Sequence, residues 1–171
     1  MKSKNNLTVR ITVTAVLTAM TVLLSSFYIP VPGGHLYLCD VAICFAAILL
    51  SPAESFVVGG IGSFLGDLMF YPASMFVSLV VHGLQAVIIS LISHKALKKH
   101  PLAAIITGLV TGGIISVTGF TLGKMFIYST VEYAVIKLPY EILQAVTGAA
   151  AGTLLYKKLG SLNVFGKLGI K

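Results

Sequence analysis

This sequence predicts an all-α integral membrane protein, a compact bundle of six transmembrane helices with both termini in the cytoplasm, and three observations carry that prediction. The chain of 171 residues is 57% hydrophobic and only 10% charged, with a mean hydropathy of +0.98, whereas a soluble domain carries about 25% charged residues. Breakers divide it into six apolar stretches, most of them near the roughly 20 residues a helix needs to cross a bilayer. If all six cross, Lys2, Lys4, Arg10, Lys95, Lys98, Lys99, Lys157, Lys158, Lys167 and Lys171 share one side, and Lys124 and Lys137 alone lie elsewhere. That is the asymmetry the positive-inside rule expects. No internal repeat or boundary is visible, so residues 1–171 should form a single transmembrane domain.

The first stretch, residues 7–29, follows Lys2 and Lys4 and stops at "PVPGGH". It exceeds the roughly 7 to 15 residues of a signal-peptide core and has no small-x-small cleavage signal, so it reads as a retained helix. The second, residues 38–50, reaches only about 20 Å of a 30 Å core; re-entry would split the basic regions across the membrane, so it too is expected to cross. The third, 52–71, opens on Ser51, Pro52 and Glu54, a capping box with Pro at the first helical position. The fourth, 73–93, is closed by "HKALKKHP"; the fifth spans 101–128, and the sixth starts near Pro139 and ends at Tyr156. Residues 30–37, the turn at Tyr71 and Pro72, and residues 129–138 then face outward. The tail "KKLGSLNVFGKLGIK" is expected along the inner surface, drawn to anionic lipid.

Several function classes fall away. A net charge of +7 marks a nucleic-acid binder only where basic residues form a water-exposed stripe, and here none is available. Cys39 and Cys44 have no second pair, so neither a zinc site nor a disulfide framework is suggested, and both should be small buried residues. "GFTLGKM" at 119–125 departs from a phosphate-binding loop in spacing and in the Met after Lys, and "GGIGSFLG" does not fit GxGxxG. Any ATP-derived energy must therefore come from a partner.

The chemistry rests on a few polar residues. Asp67, in "GGIGSFLGDLMFYP", sits near a helix C-terminus where the macrodipole disfavours a negative charge. It calls either for a cationic or hydrogen-bonding partner, with Lys124 at comparable depth, or for a ligand. Asp40 is either the N-cap of the second helix or a site residue. Glu141 and Gln144 are three apart and share a helix face, as do His82 and Gln85. Lys137, four before Glu141, can pair with it at the interface, and a lone His82 needs no metal to explain it. Together these groups suggest a polar pocket open to the outside and roofed by His35, Tyr37, Tyr71 and Tyr128. Ala15 and Ala19 form a small-residue pair, and Gly62/Gly66, Gly108/Gly112 and Gly148/Gly152 form G-x-x-x-G pairs, most of them expected to serve internal packing.

The chain resembles the substrate-binding S components of energy-coupling factor (ECF) vitamin transporters. The resemblance is carried by Ala15 and Ala19, "LYLCDVAICFAAILLSPAESFVVGGIGSFLGDLMFY", "HGLQAVI" and "KLPYEILQAVTGAAAGTLLYKK", in that order over nearly the whole chain. It implies a small-molecule vitamin bound on the outer half, a membrane T subunit that meets Ala15 and Ala19, and two cytoplasmic ATPase subunits. The segments around Asp40 and Asp67 look closest to the riboflavin, vitamin B6 and hydroxymethylpyrimidine branch, where His82 replaces a frequent Lys. A pyridine or pyrimidine alcohol suits a compact pocket better than riboflavin, with no metal or cofactor. The site residues implied are His35, Tyr37, Asp40, Asp67, His82, Gln85, Lys124, Glu141 and Gln144. Two other classes are a secondary transporter, against which the lack of an inverted repeat argues, and a membrane enzyme, whose only candidate pairing is His82 with Asp40 or Asp67.

Overall fold

The structure, a computed structural model, describes residues 2–96 and 100–164, with side chains from residue 7 onward. Part of the basic 94–100 loop and residues 165–171 of the expected surface tail lie outside the described residues. Helix α1 (Lys2–Ser26) is followed by strands β1 (Tyr28–Val31) and β2 (Gly34–Tyr37), then α2 (Cys39–Leu49). Next, α3 (Pro52–Phe56), a π-helical turn (Val57–Ile61) and α4 (Gly62–Phe70) run on without a break. A 3-10 turn (Pro72–Ser74) leads into α5 (Met75–Lys95); α6 (Pro101–Gly123) ends in a second π turn (Lys124–Tyr128), and α7 spans Val131–Ser161. Among the described residues, four helical runs have the length and apolarity to cross a membrane: Leu7–Ser26, Pro52–Phe70, Pro72–Lys95 and Pro101–Tyr128.

Two boundaries depart from the sequence expectation. The first helix ends at Ser26, because 28–37 fold into an antiparallel hairpin pairing Tyr28 with Tyr37 and Val31 with Gly34. Pro32 and Gly33 form its turn: Pro presets the first corner, and Gly33 takes the positive φ (80°) required at the second. The hairpin tip rests on α7, where a Cβ at Gly33 would lie 2.8 Å from the Tyr133 carbonyl oxygen. The last helix, for its part, begins at Val131 rather than at Pro139, which sits inside it. Thr130 caps it, accepting a hydrogen bond from the Tyr133 N–H. One proline removes a single intrahelical bond, and packing of the preceding two turns against the hairpin holds the helix through it.

The core forms around α2, where Ile43, Ala46 and Ala47 are fully buried and which packs against α1, α5 and α7. Packing against these three helices explains its unbroken apolar run. Close approach depends on the glycine pairs, as expected. Gly62 and Gly66 face Thr21 and Ser25 of α1, Gly108 faces Ser93 and the Ile89 backbone of α5, and Gly148 and Gly152 face Asp40 and Cys44 of α2. The inward hydroxyls of α1 are satisfied locally, since Thr14, Thr18, Thr21 and Ser25 each donate to the carbonyl four residues earlier. Ala15 and Ala19, by contrast, are exposed.

At the end of the bundle away from the hairpin, Glu54 closes the packing. It completes the expected capping box by accepting from the Ser51 N–H (2.9 Å) and hydroxyl (2.7 Å). It also receives a two-pronged bond from Arg10, Nε at 2.8 Å and Nη2 at 2.6 Å, which ties α1 to α3.

Candidate functional site

Beneath the hairpin lies a cavity of about 260 Å³, whose wall draws on α1, α2, the α4–α5 junction, the end of α6 and the first half of α7. Its roof is a chain of aromatic rings. His35 meets Tyr28 edge-on at 4.5 Å, Tyr71 lies 6.3 Å from His35 and 6.4 Å from Tyr128, and Lys137 and Lys124 ride over Tyr37 and Tyr128 at 5.9 and 5.1 Å. Burial pushes the Tyr37 phenol well above its ordinary pKa, so it stays protonated and available as a donor.

Of the residues expected from sequence, His35, Tyr37, Asp67, His82, Lys124, Glu141 and Gln144 line this cavity. Asp40 and Gln85 do not; they stand one layer behind it. Asp40 is not the N-cap of α2, a position held by Leu38, and makes no capping bond. Its carboxylate is 1% exposed and accepts from Gln85 Nε2 (3.0 Å) and Gln144 Nε2 (2.6 Å). Gln144 Oε1 in turn accepts the Tyr37 backbone N–H at 2.9 Å, and His82 Nδ1 lies 2.8 Å from Gln85 Oε1. The approach of α7 that makes this network possible depends on Gly148, where a Cβ would come within 2.5 Å of the Asp40 Cβ.

The expected Asp67–Lys124 pair does not form. Asp67 instead accepts from the Ser74 and Ser78 hydroxyls, the latter at 2.6 Å. The 3-10 turn brings Ser74 to the carboxylate, and two hydroxyl donors offset the unfavourable helix terminus without a cation. Lys124 and Asp67 share the cavity without an ion pair between them. Lys137 does pair with Glu141, Nζ to Oε1 at 2.9 Å, with both side chains buried at the cavity rather than at the interface. Apart from this ion pair, Glu141 Oε1 has no partner among the described residues. The Ser63 hydroxyl, also on the wall, has no hydrogen-bond partner among the described residues.

Sequence reasoning missed Ser25, Cys39, Ser63, Ser74, Ser78, Phe120, Tyr133 and Lys137 as wall residues. Two signals were present. Ser74, Ser78 and His82 recur every four residues, and so do Tyr133, Lys137 and Glu141, with Gln144 three further on; each series is one helical stripe. Starting the last helix at Pro139 hid the second.

Cys39, Asp40 and His82 bring possible metal-ligand atoms within 4.8 Å of one another. Both Asp40 oxygens and the facing His82 nitrogen are already committed to the glutamine amides, so hydrogen bonding accounts for this cluster. Cys44 is buried as expected, and Cys39 is buried at the cavity wall.

The chain is similar to several known proteins. Over 150 residues it is 32% identical to an uncharacterized protein of Pyrococcus woesei, covering 84% of this chain and 99% of that one. Over 168 residues it is 28% identical to the thiamine precursor transporter HmpT of Lactococcus lactis subsp. cremoris, covering 92% and 93%. Its fold matches a solved S component of a bacterial ECF transporter with a TM-score of 0.71 at 19% identity, over 95% of this chain and 98% of that one. Residues 5–161 match the family model of the ECF-type riboflavin transporter S component. The chain therefore belongs to the S component family of ECF transporters, multi-pass membrane proteins of transport rather than enzymes.

Proposed function

We propose that the cavity beneath the hairpin is the substrate site and that it takes a single-ring heteroaromatic alcohol, of the vitamin B6 or hydroxymethylpyrimidine kind, from the outer side. The observation that carries this reading is the cavity itself. At about 260 Å³ it falls just below the roughly 300 to 1,000 Å³ of drug-sized ligand sites, which favours one ring over the three fused rings of a flavin. Its wall pairs aromatic faces with polar groups, and Ser63 Oγ and Glu141 Oε1 retain hydrogen-bonding capacity that a ligand would use. The similarity to a thiamine precursor transporter supports the pyrimidine within this class.

In the same reading the chain crosses the membrane six times with both termini in the cytoplasm. Helix α7, at 31 residues, is long enough, and α2 crosses while shielded from lipid. Arg10, Lys95, Lys157 and Lys158 then lie inward and the hairpin outward. Ala15 and Ala19, exposed on α1 while the glycine pairs are consumed internally, are the surface offered to a membrane T subunit, and two cytoplasmic ATPases drive release. Calorimetry on purified protein tests the site. Hydroxymethylpyrimidine or pyridoxine should bind more tightly than riboflavin, and tighter riboflavin binding would reject the single-ring reading.

A further inference from the structure

We infer that Asp40, which never touches the cavity, fixes the direction of the hydrogen bonds around it, so that His82 offers the ligand a bare Nε2 lone pair that an N–H or O–H donor must meet. The inference rests on the cavity being the substrate site and specifies what that substrate must present.

The polarity propagates from two groups that have no choice. The Tyr37 backbone N–H can only donate, so the Gln144 atom it faces must be the carbonyl oxygen, and the Gln144 amide nitrogen faces Asp40. An ionised carboxylate can only accept, so Gln85 also turns its amide nitrogen toward Asp40. Gln85 Oε1 is thereby aimed at His82 Nδ1, 2.8 Å away, and an acceptor there requires the proton to sit on Nδ1. The other ring nitrogen, Nε2, has no hydrogen-bond partner among the described residues. His82 is 3% exposed, its ring lies tilted against Phe120 with centroids 4.7 Å apart, and it lines the cavity. A ligand group that meets an unprotonated Nε2 must therefore be a donor, N–H or O–H. His82 is thus a specificity-determining residue, and Asp40 and Gln85 are positioning residues acting through it.

The first test needs no ligand. In protein labelled with 15N-histidine, with the His82 resonances assigned by their loss in His82→Asn, the expected spectrum has a protonated Nδ1 and an unprotonated Nε2. A proton on Nε2, alone or in an imidazolium, overturns the proposal. Asp40→Asn supplies a donor as well as an acceptor, so Gln85 is free to reverse; the single tautomer should give way to a mixture or to its opposite. An unchanged tautomer in a folded Asp40→Asn protein removes Asp40 from its role, and should that variant not fold, the wild-type spectrum still decides the tautomer.

The second test uses hydroxymethylpyrimidine and two isosteres, one with methyl in place of the ring amino group and one with ethyl in place of the hydroxymethyl. One of the replacements should weaken binding to the wild type by about ten- to a hundredfold, because in the complex it leaves Nε2 without a donor. Asp40→Asn should narrow that gap. Equal binding of all three by the wild type overturns the donor requirement while leaving the cavity as the site. Binding of none overturns the proposed substrate, and the donor requirement with it, whereas the tautomer result stands.

Discussion

Two carboxylates at opposite ends of the bundle, Glu54 at the start of α3 and Glu141 well inside α7, are treated in opposite ways. Glu54 uses its oxygens completely, with two bonds from Arg10 and two from Ser51. Glu141, under the hairpin, has its Oε1 paired with Lys137 at 2.9 Å and no other partner for that oxygen among the described residues, on a wall where the Ser63 hydroxyl also has none. Buried polar groups are nearly always satisfied. Glu54 ties helices together, whereas Ser63 and Glu141 line the cavity; Ser93 Oγ, at the contact of α5 with Gly108, is likewise without a hydrogen bond among the described residues.

The largest effect is expected on the outside of α1. Replacing both Ala15 and Ala19 with Trp is expected to abolish ATP-driven uptake in the reconstituted complex, because bulky side chains on an exposed face would block a partner helix. Ligand affinity of the isolated protein should stay within about threefold, or under ~0.7 kcal/mol. Full uptake by the double variant would remove this face from the proposed interface. Gly148→Val provides the contrast: its Cβ meets Asp40, so folded yield and binding should be lost together.

Next in size are the cavity variants. Glu141→Gln, Gln144→Ala and His82→Ala are each expected to weaken ligand binding by about five- to 150-fold, the cost of roughly 1 to 3 kcal/mol for one hydrogen bond to a buried ligand. Calorimetry on protein of unchanged melting temperature checks this; undiminished affinity in all three would locate the site elsewhere. Glu54→Ala should do the reverse, leaving affinity intact and lowering stability by about 1 kcal/mol, through the lost cap and an ion pair discounted because Arg10 is 42% exposed.

The same contrast explains what could be read from the sequence. Helix runs were legible because a bilayer admits few alternatives: Pro52 and Pro101 each open a helix and Pro72 sits at the turn between two of them, as expected, and the Ser51–Glu54 box is a local pattern. The hairpin was not, since "YIPVPGGHLY" continues the apolar run and its pairing depends on α7 beneath the tip. Pro139 misled in the same way, because tertiary support carries α7 through it. Within the cavity, spacing on one helix brought His82 with Gln85 and Glu141 with Gln144, but partners across helices were beyond its reach. Asp40 meets Gln85 and Gln144 from 45 and 104 residues away, and nothing local to Asp40 distinguishes that role from a cap.

The smallest expected effect concerns Asp67. If charge attraction to Lys124 governed it, reversing both charges together would restore stability lost by either reversal alone. The hydroxyls of Ser74 and Ser78 hold it instead, so the Asp67→Lys and Lys124→Asp changes should add within about 0.5 kcal/mol. The cycle that should couple is Asp67→Asn with Ser78→Ala, because an amide can return a donor to its neighbour but cannot accept as strongly as a carboxylate. There the double variant should lose less than the sum of the two singles by about 0.5 to 1.5 kcal/mol in thermal unfolding. Coupling to Lys124 with none to Ser78 would mean that the ion pair governs Asp67 in solution, and the cavity would then have one charged wall fewer to offer a ligand.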